Sequence, residues 1–178
     1  MKGLRHQPRI LVALLLLIVM PAVIRASQNN PGSVVVLEGH LLTGYKSLCD
    51  LEPKRSPETT TVHPGAGWSF SGGCGDLDKQ RLLPLTITFR NNDGAKSTRF
   101  SVPLLSEVTV RTEQGSEPAA ALYIPWGSPR GFSTAVHGNL EIELGSGADI
   151  ELLYLLPSST GKPTISVKGY STLKLADQ

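Results

Sequence analysis

From Leu82 onward, apolar and polar residues exchange places at every second position, and that alternation leaves few folds open to the chain. Leu85, Ile87 and Phe89 alternate with Thr86, Thr88 and Arg90, and Leu140, Ile142 and Leu144 alternate with Asn139, Glu141 and Glu143. Successive side chains of a strand point to opposite faces, so this period belongs to antiparallel sheets with one face buried and one wet. Phe100 and Val102, then Val108 and Val110, repeat the pattern, and further strands are expected at 120–126, 132–136, 149–156 and 164–167. Turn clusters separate them: Asn91-Asn92-Asp93-Gly94, which is a hairpin signal, Gln114-Gly115-Ser116, Gly145-Ser146-Gly147 and Ser158–Gly161. Before Leu82, Ser33–Leu42 has strand character and Trp68–Phe70 reads as a short strand. The run Leu152–Leu156 is apolar on both faces, which places it at the centre of a sheet. The expected fold is all-β: a single antiparallel β-sandwich of immunoglobulin-like or jelly-roll type, with about nine or ten short strands.

The start of the chain has a different character. Lys2, Arg5 and Arg9 precede the uninterrupted apolar run Ile10–Met20; Pro21 breaks it, and a short stretch ends on the small residue Ala26. This is the layout of a cleaved signal peptide over 1–26. An uncleaved anchor is the rival reading, but a membrane span takes roughly 20 apolar residues and this run is shorter. The expected mature chain, 27–178, is secreted or periplasmic and has no membrane span. Its length of about 150 residues is enough for one sandwich core and not comfortably for two.

Cleavage also changes the charge. The whole chain carries 17 Lys+Arg against 15 Asp+Glu. Lys2, Arg5, Arg9 and Arg25 lie in the leader, which has no acidic residue, so 13 basic side chains remain against 15 acidic ones. The basicity of the whole chain therefore belongs to the leader. No basic stripe of the kind that tracks phosphates remains, and nucleic acid is excluded as a partner.

Cys49 and Cys74 are the only cysteines, and an even count in an exported chain predicts a disulfide. It would close the least regular segment, 49–74, which is rich in Pro, Gly and Thr and has no sustained period. Asp50 and Glu52 stand beside one cysteine, and Asp76 and Asp78 beside the other. The bridge would draw these carboxylates together, and clustered hard oxygen ligands suit Ca²⁺. No Asp-x-Asp-x-Asp-Gly loop accompanies them, so solvated loop acids are the plainer reading, and no cofactor is expected.

Catalytic signatures are absent from the sequence: no H-E-x-x-H, no G-x-S-x-G and no phosphate-cradling glycine loop. The mature chain has His40, His63 and His137, scattered along its length. Large aromatics, by contrast, sit beside turns. Tyr45 follows a glycine, Trp68 lies in GAGWSFSGG and Trp126 follows Pro125 at a strand end. Such residues stack on sugars or anchor a protein partner, or else they plug the open ends of the sandwich.

Thr43-Gly44-Tyr45, Gly72-Gly73 and Pro125-Trp126 come in the order of the three inhibitory loops of chagasin-like cysteine-protease inhibitors, which they resemble. Those are secreted immunoglobulin-like proteins. The sequence departs from their pattern, with Leu41-Leu42 where Asn-Pro-Thr would begin the first loop and no Arg before Pro125-Trp126. The chain is not assigned to that family.

The function expected from these features is an exported, non-catalytic binding or structural module presenting loops to a protein or carbohydrate partner. Two alternatives stand behind it. One is a small secreted hydrolytic enzyme with a site built from residues such as His63, Asp76 or Glu52; the other is a protease inhibitor or accessory factor.

Overall fold

The computed structural model describes residues 33–53, 61–65, 67, 69–72, 74, 76–126, 130–158, 162–173 and 175–176, with backbone alone at 70–72. The expected signal peptide, 1–26, and Trp68 lie outside them. Among the described residues no helix is long and apolar enough to cross a membrane.

Among the described residues twelve strands form: β1 (Val34–Leu41), β2 (Thr61–Pro64), β3 (Ser69–Gly72), β4 (Leu82–Asn91), β5 (Thr98–Ser101), β6 (Val108–Thr112), β7 (Gly115–Pro118), β8 (Ala121–Ile124), β9 (Gly131–His137), β10 (Leu140–Leu144), β11 (Asp149–Pro157) and β12 (Thr164–Val167). They pair antiparallel in three sheets, with orders β1-β4-β11-β8-β9-β3, β2-β10-β5 and β12-β6-β7. The chain is thus all-β and antiparallel, as the alternation predicts, but it builds three sheets where a simple sandwich has two. The two strands beyond the expected ten are β2 and β7. Neither Thr61–Pro64 nor Gly115–Pro118 has an apolar period, and each is held by its neighbour's register.

Asn91–Gly94 does turn the chain, but it makes no hairpin, because β4 and β5 belong to different sheets. The fully buried Asn91 explains this. Its Nδ2 donates to the carbonyls of Lys96 and Gly145 at 2.8 and 3.1 Å, while its Oδ1 accepts from the Asp93 N–H at 3.0 Å. The side chain ties the corner together and sends the next strand to another sheet.

β11 pairs with β4 over its whole length, from Asp149 opposite Arg90 to Pro157 opposite Leu82. It lies inside the six-stranded sheet, and both of its faces are covered. Ile150, Leu152, Tyr154 and Leu156 enter a main core shared with Leu85, Ile87 and Phe89 of β4, Ile142 of β10, Val110 of β6 and Ile165 of β12. All three sheets therefore contribute to one cluster. Leu153 and Leu155 point the other way, into a second cluster with Ala121, Tyr123 and Phe132. Burying one such side chain contributes about 1.5–3 kcal/mol, so both faces must be covered for this strand to be stable.

Candidate functional site

The second cluster is covered by the segment that the sequence marks as irregular. Cys49 and Cys74 are bonded, with their Cα atoms 5.5 Å apart. Two short 3-10 turns flank the bridge, Leu48–Asp50 and Leu77–Lys79. Leu48 and Leu77, both buried, anchor them on Leu153 and Leu155. Asp78 joins the two turns. Its carboxylate accepts from the Ser47 hydroxyl at 2.5 Å and from the Leu48 N–H at 2.6 Å. Those two bonds hold its pKa below the ordinary aspartate value.

The four acidic residues flanking the cysteines therefore have separate environments. Asp78 links the turns, Asp76 pairs with Lys79 at 2.8 Å, and Asp50 is exposed. Glu52 accepts from the Tyr123 hydroxyl, whose pKa is raised by burial first and by the Glu52 charge second. Among the described residues no three His, Cys, Asp or Glu side chains converge to hold a metal ion.

Beside this cap, the outer face of the six-stranded sheet turns polar. A groove of about 400 Å³ is lined there by Glu38 and His40 of β1, Thr86 and Thr88 of β4 and Glu151 of β11, with Leu42, Thr43 and Glu52 closing it from the cap side. Strand register builds this floor. Thr88 stands opposite Glu38 on one side and Glu151 on the other, and His40 stands opposite Thr86. His40 Nε2 lies 3.1 Å from Glu38 Oε1, and the Thr86 hydroxyl reaches the His40 carbonyl at 3.4 Å. Next along the same face, Arg90 donates two hydrogen bonds to Asp149, at 2.6 and 2.7 Å, so its charge is engaged outside the groove.

A β-bulge decides what faces the groove. Val36 pairs with Phe89 and Glu38 with Thr88, leaving Leu37 as the extra residue. Before the bulge, Val34 and Val36 share the core side; after it, Gly39 and Leu41 take that side and Glu38 and His40 turn outward. Without the bulge, both polar side chains would point into the main core. Glu38 and His40 cannot be placed from the sequence for this reason, although a signal exists: the apolar positions of Val34–Leu41 change parity at Leu37; Thr86, Thr88 and Glu151 join them only through register.

The aromatic candidates are dispersed. Tyr45 is exposed, two residues beyond Thr43 at the rim of the groove. Trp126 follows β8 and packs, half-buried, against the main core. β1 and β8 run in opposite directions in the sheet, so Tyr45 and Trp126 leave it at opposite ends. His63 lies on β2, 3.7 Å from Glu143 of β10, in a different sheet from the groove.

Compared with models of known families, with curated proteins and with solved structures, the chain finds no match.

Proposed function

We propose that this chain is an exported, non-catalytic binding module. It leaves the cytoplasm on the leader 1–26, and residues 27–178 form one disulfide-stapled unit of sandwich type, immunoglobulin-like or jelly-roll. Its partner is a protein or a carbohydrate, met at the groove beside the disulfide cap. The observation that supports this reading is the groove itself: a concavity of about 400 Å³ floored by three strands of one sheet, in which three glutamates, a histidine and three threonines stand beside Leu41 and Leu42. That size lies within the roughly 300–1,000 Å³ of small-ligand sites, and a rigid floor holds polar groups in fixed positions. Tyr45 is the aromatic contact at the rim, and Trp126 acts as a wedge at the far end of the sheet.

Two measurements test the proposal. The mass of the protein recovered from an exporting host should correspond to a chain starting after the leader. The purified mature chain should be retained on an array of glycans or of cell-surface proteins. Glu151→Gln and Tyr45→Ala should weaken retention without changing the urea midpoint. A chain retained by neither array, or retained equally by every groove variant, would overturn the reading.

A further inference from the structure

We propose that His63 and Glu143 form a proton-closed latch, which fastens β2 to β10 when the imidazole is charged and slackens when it is neutral. β2 lies inside the loop that the disulfide closes, so the latch sets how firmly that loop is held to its sheet.

Register brings four ionisable side chains to one face of the β2-β10-β5 sheet. His63 stands opposite Glu141, and Arg99 stands opposite Glu143. The intervening Val62, Phe100 and Ile142 face the main core. The ion pairs run along the diagonals: His63 Nε2 lies 3.7 Å from Glu143 Oε2, and Arg99 Nη1 lies 3.8 Å from Glu141 Oε2. With a neutral imidazole this face holds two carboxylates against one guanidinium. With a charged imidazole the signs balance.

β2 is weakly held by other means. It is an edge strand, its Thr61 and Pro64 are exposed, and its Val62 is only half-buried against the main core.

His63 supplies an observation independent of the charge pattern. Among the described residues its Nε2 is the one buried side-chain nitrogen or oxygen without a hydrogen-bond partner. The 3.7 Å to Glu143 is an ion-pair distance, too long for a hydrogen bond. A buried polar atom without a bond is unfavourable, and a proton on the ring makes this nitrogen a cationic donor beside a carboxylate. That carboxylate is ready for it. The Ser97 hydroxyl donates to Glu143 at 2.7 Å and lowers its pKa most, and His63 and Arg99 lower it further. Glu143 is thus an anion throughout the range of about pH 5 to 8 in which an imidazole titrates, and the latch closes as pH falls through that range.

The Gly65 amide reports on the latch, because it follows β2 directly and donates to the Asn139 carbonyl at 2.8 Å. In the ¹⁵N-labelled, oxidised chain its hydrogen-exchange protection factor, which divides out the intrinsic pH dependence, should rise about two- to fivefold from about pH 8 to about pH 5, the size of a half-exposed ion pair. His63→Gln and Glu143→Gln should each abolish the rise, with urea midpoints confirming that both variants are folded. His40→Gln, which removes a histidine–glutamate pair from the six-stranded sheet, should keep it. A flat protection factor in the parent chain would overturn the latch. So would a rise of equal size in His63→Gln, or a rise that His63→Gln abolishes and Glu143→Gln keeps.

Discussion

Tyr154 donates its hydroxyl to the carbonyl oxygen of Pro103 at 2.6 Å, from a side chain with no exposed surface. The contact joins β11 of the six-stranded sheet to the segment that follows β5. Burial pushes the Tyr154 hydroxyl well above its ordinary pKa, so it remains a donor through the whole stable range. Tyr154→Phe leaves the Pro103 carbonyl buried and unsatisfied. The expected cost is about 1–3 kcal/mol, read as a lower urea midpoint at unchanged slope.

Gly39 marks a close approach. A Cβ placed there would lie 2.5 Å from Leu173 Cδ2, and the carbonyl of Gly39 accepts from the Ala176 N–H at 3.0 Å. The Leu173 side chain thus takes the space that a side chain at residue 39 would need. Gly39→Ala should destabilise by about 1–3 kcal/mol, as overpacking does. In a Leu173→Ala background the same change should cost less, and a thermal double-mutant cycle would show that coupling.

The disulfide closes a loop of 25 residues, so Cys49→Ser/Cys74→Ser should lose about 3–4 kcal/mol. The loss should have a local signature as well. With the cap loosened from Leu153 and Leu155, a dye sensitive to apolar surface should bind before global unfolding, in the variant and not in the oxidised parent.

Asp78 makes part of the stability pH-dependent. Its folded pKa is depressed below the ordinary 3.8 by its bonds to Ser47 and Leu48. The folded state therefore holds its proton less tightly than the unfolded state does, and stability rises with pH across this window. The contribution is complete above the unfolded value and is lost as pH falls through 3.8 and then through the folded pKa. Asp78→Asn should flatten the acid limb of the urea midpoint against pH, most clearly below pH 4.

Leu37 is the spare residue of the bulge in β1 and is 41 % exposed. Its deletion should leave Val36 opposite Phe89 and Glu38 opposite Thr88 in a plain strand, and the chain should still fold and form its disulfide. Deleting Thr88 from β4, which has no spare residue, reverses the faces of the residues beyond it and should abolish folding. Circular dichroism and thiol titration of the two deletions would check this.

Much of this architecture can be read from local pattern. The double apolar character of Leu152–Leu156 places β11 inside a sheet, and the cysteine count implies the staple. What cannot be read is whatever depends on pairing between distant segments. Glu38, Thr88 and Glu151 are ordinary wet-face residues of three strands, and only register aligns them in a groove. β2 and β7 have no period of their own because their neighbours, not their side chains, make them strands. Asn91–Gly94 resembles any tight turn until the buried Asn91 amide is seen to direct the chain away from its expected partner. Glu52 is the one candidate from the acidic set that also lines the groove.

A strand apolar on both sides has lost the usual guard against sliding. If β11 slipped by one position, leucine would replace leucine in the middle of the strand, but Glu151 would turn into the main core and Tyr154 out of it. The correct alignment must then be signalled by its polar ends. Arg90 grips Asp149 at one end, and Tyr154 reaches Pro103 further along. A mispaired chain would lose both of those bonds and turn the Glu151 carboxylate toward the main core. Proofreading of this sheet therefore falls to a few polar atoms at the edge of its greasiest strand.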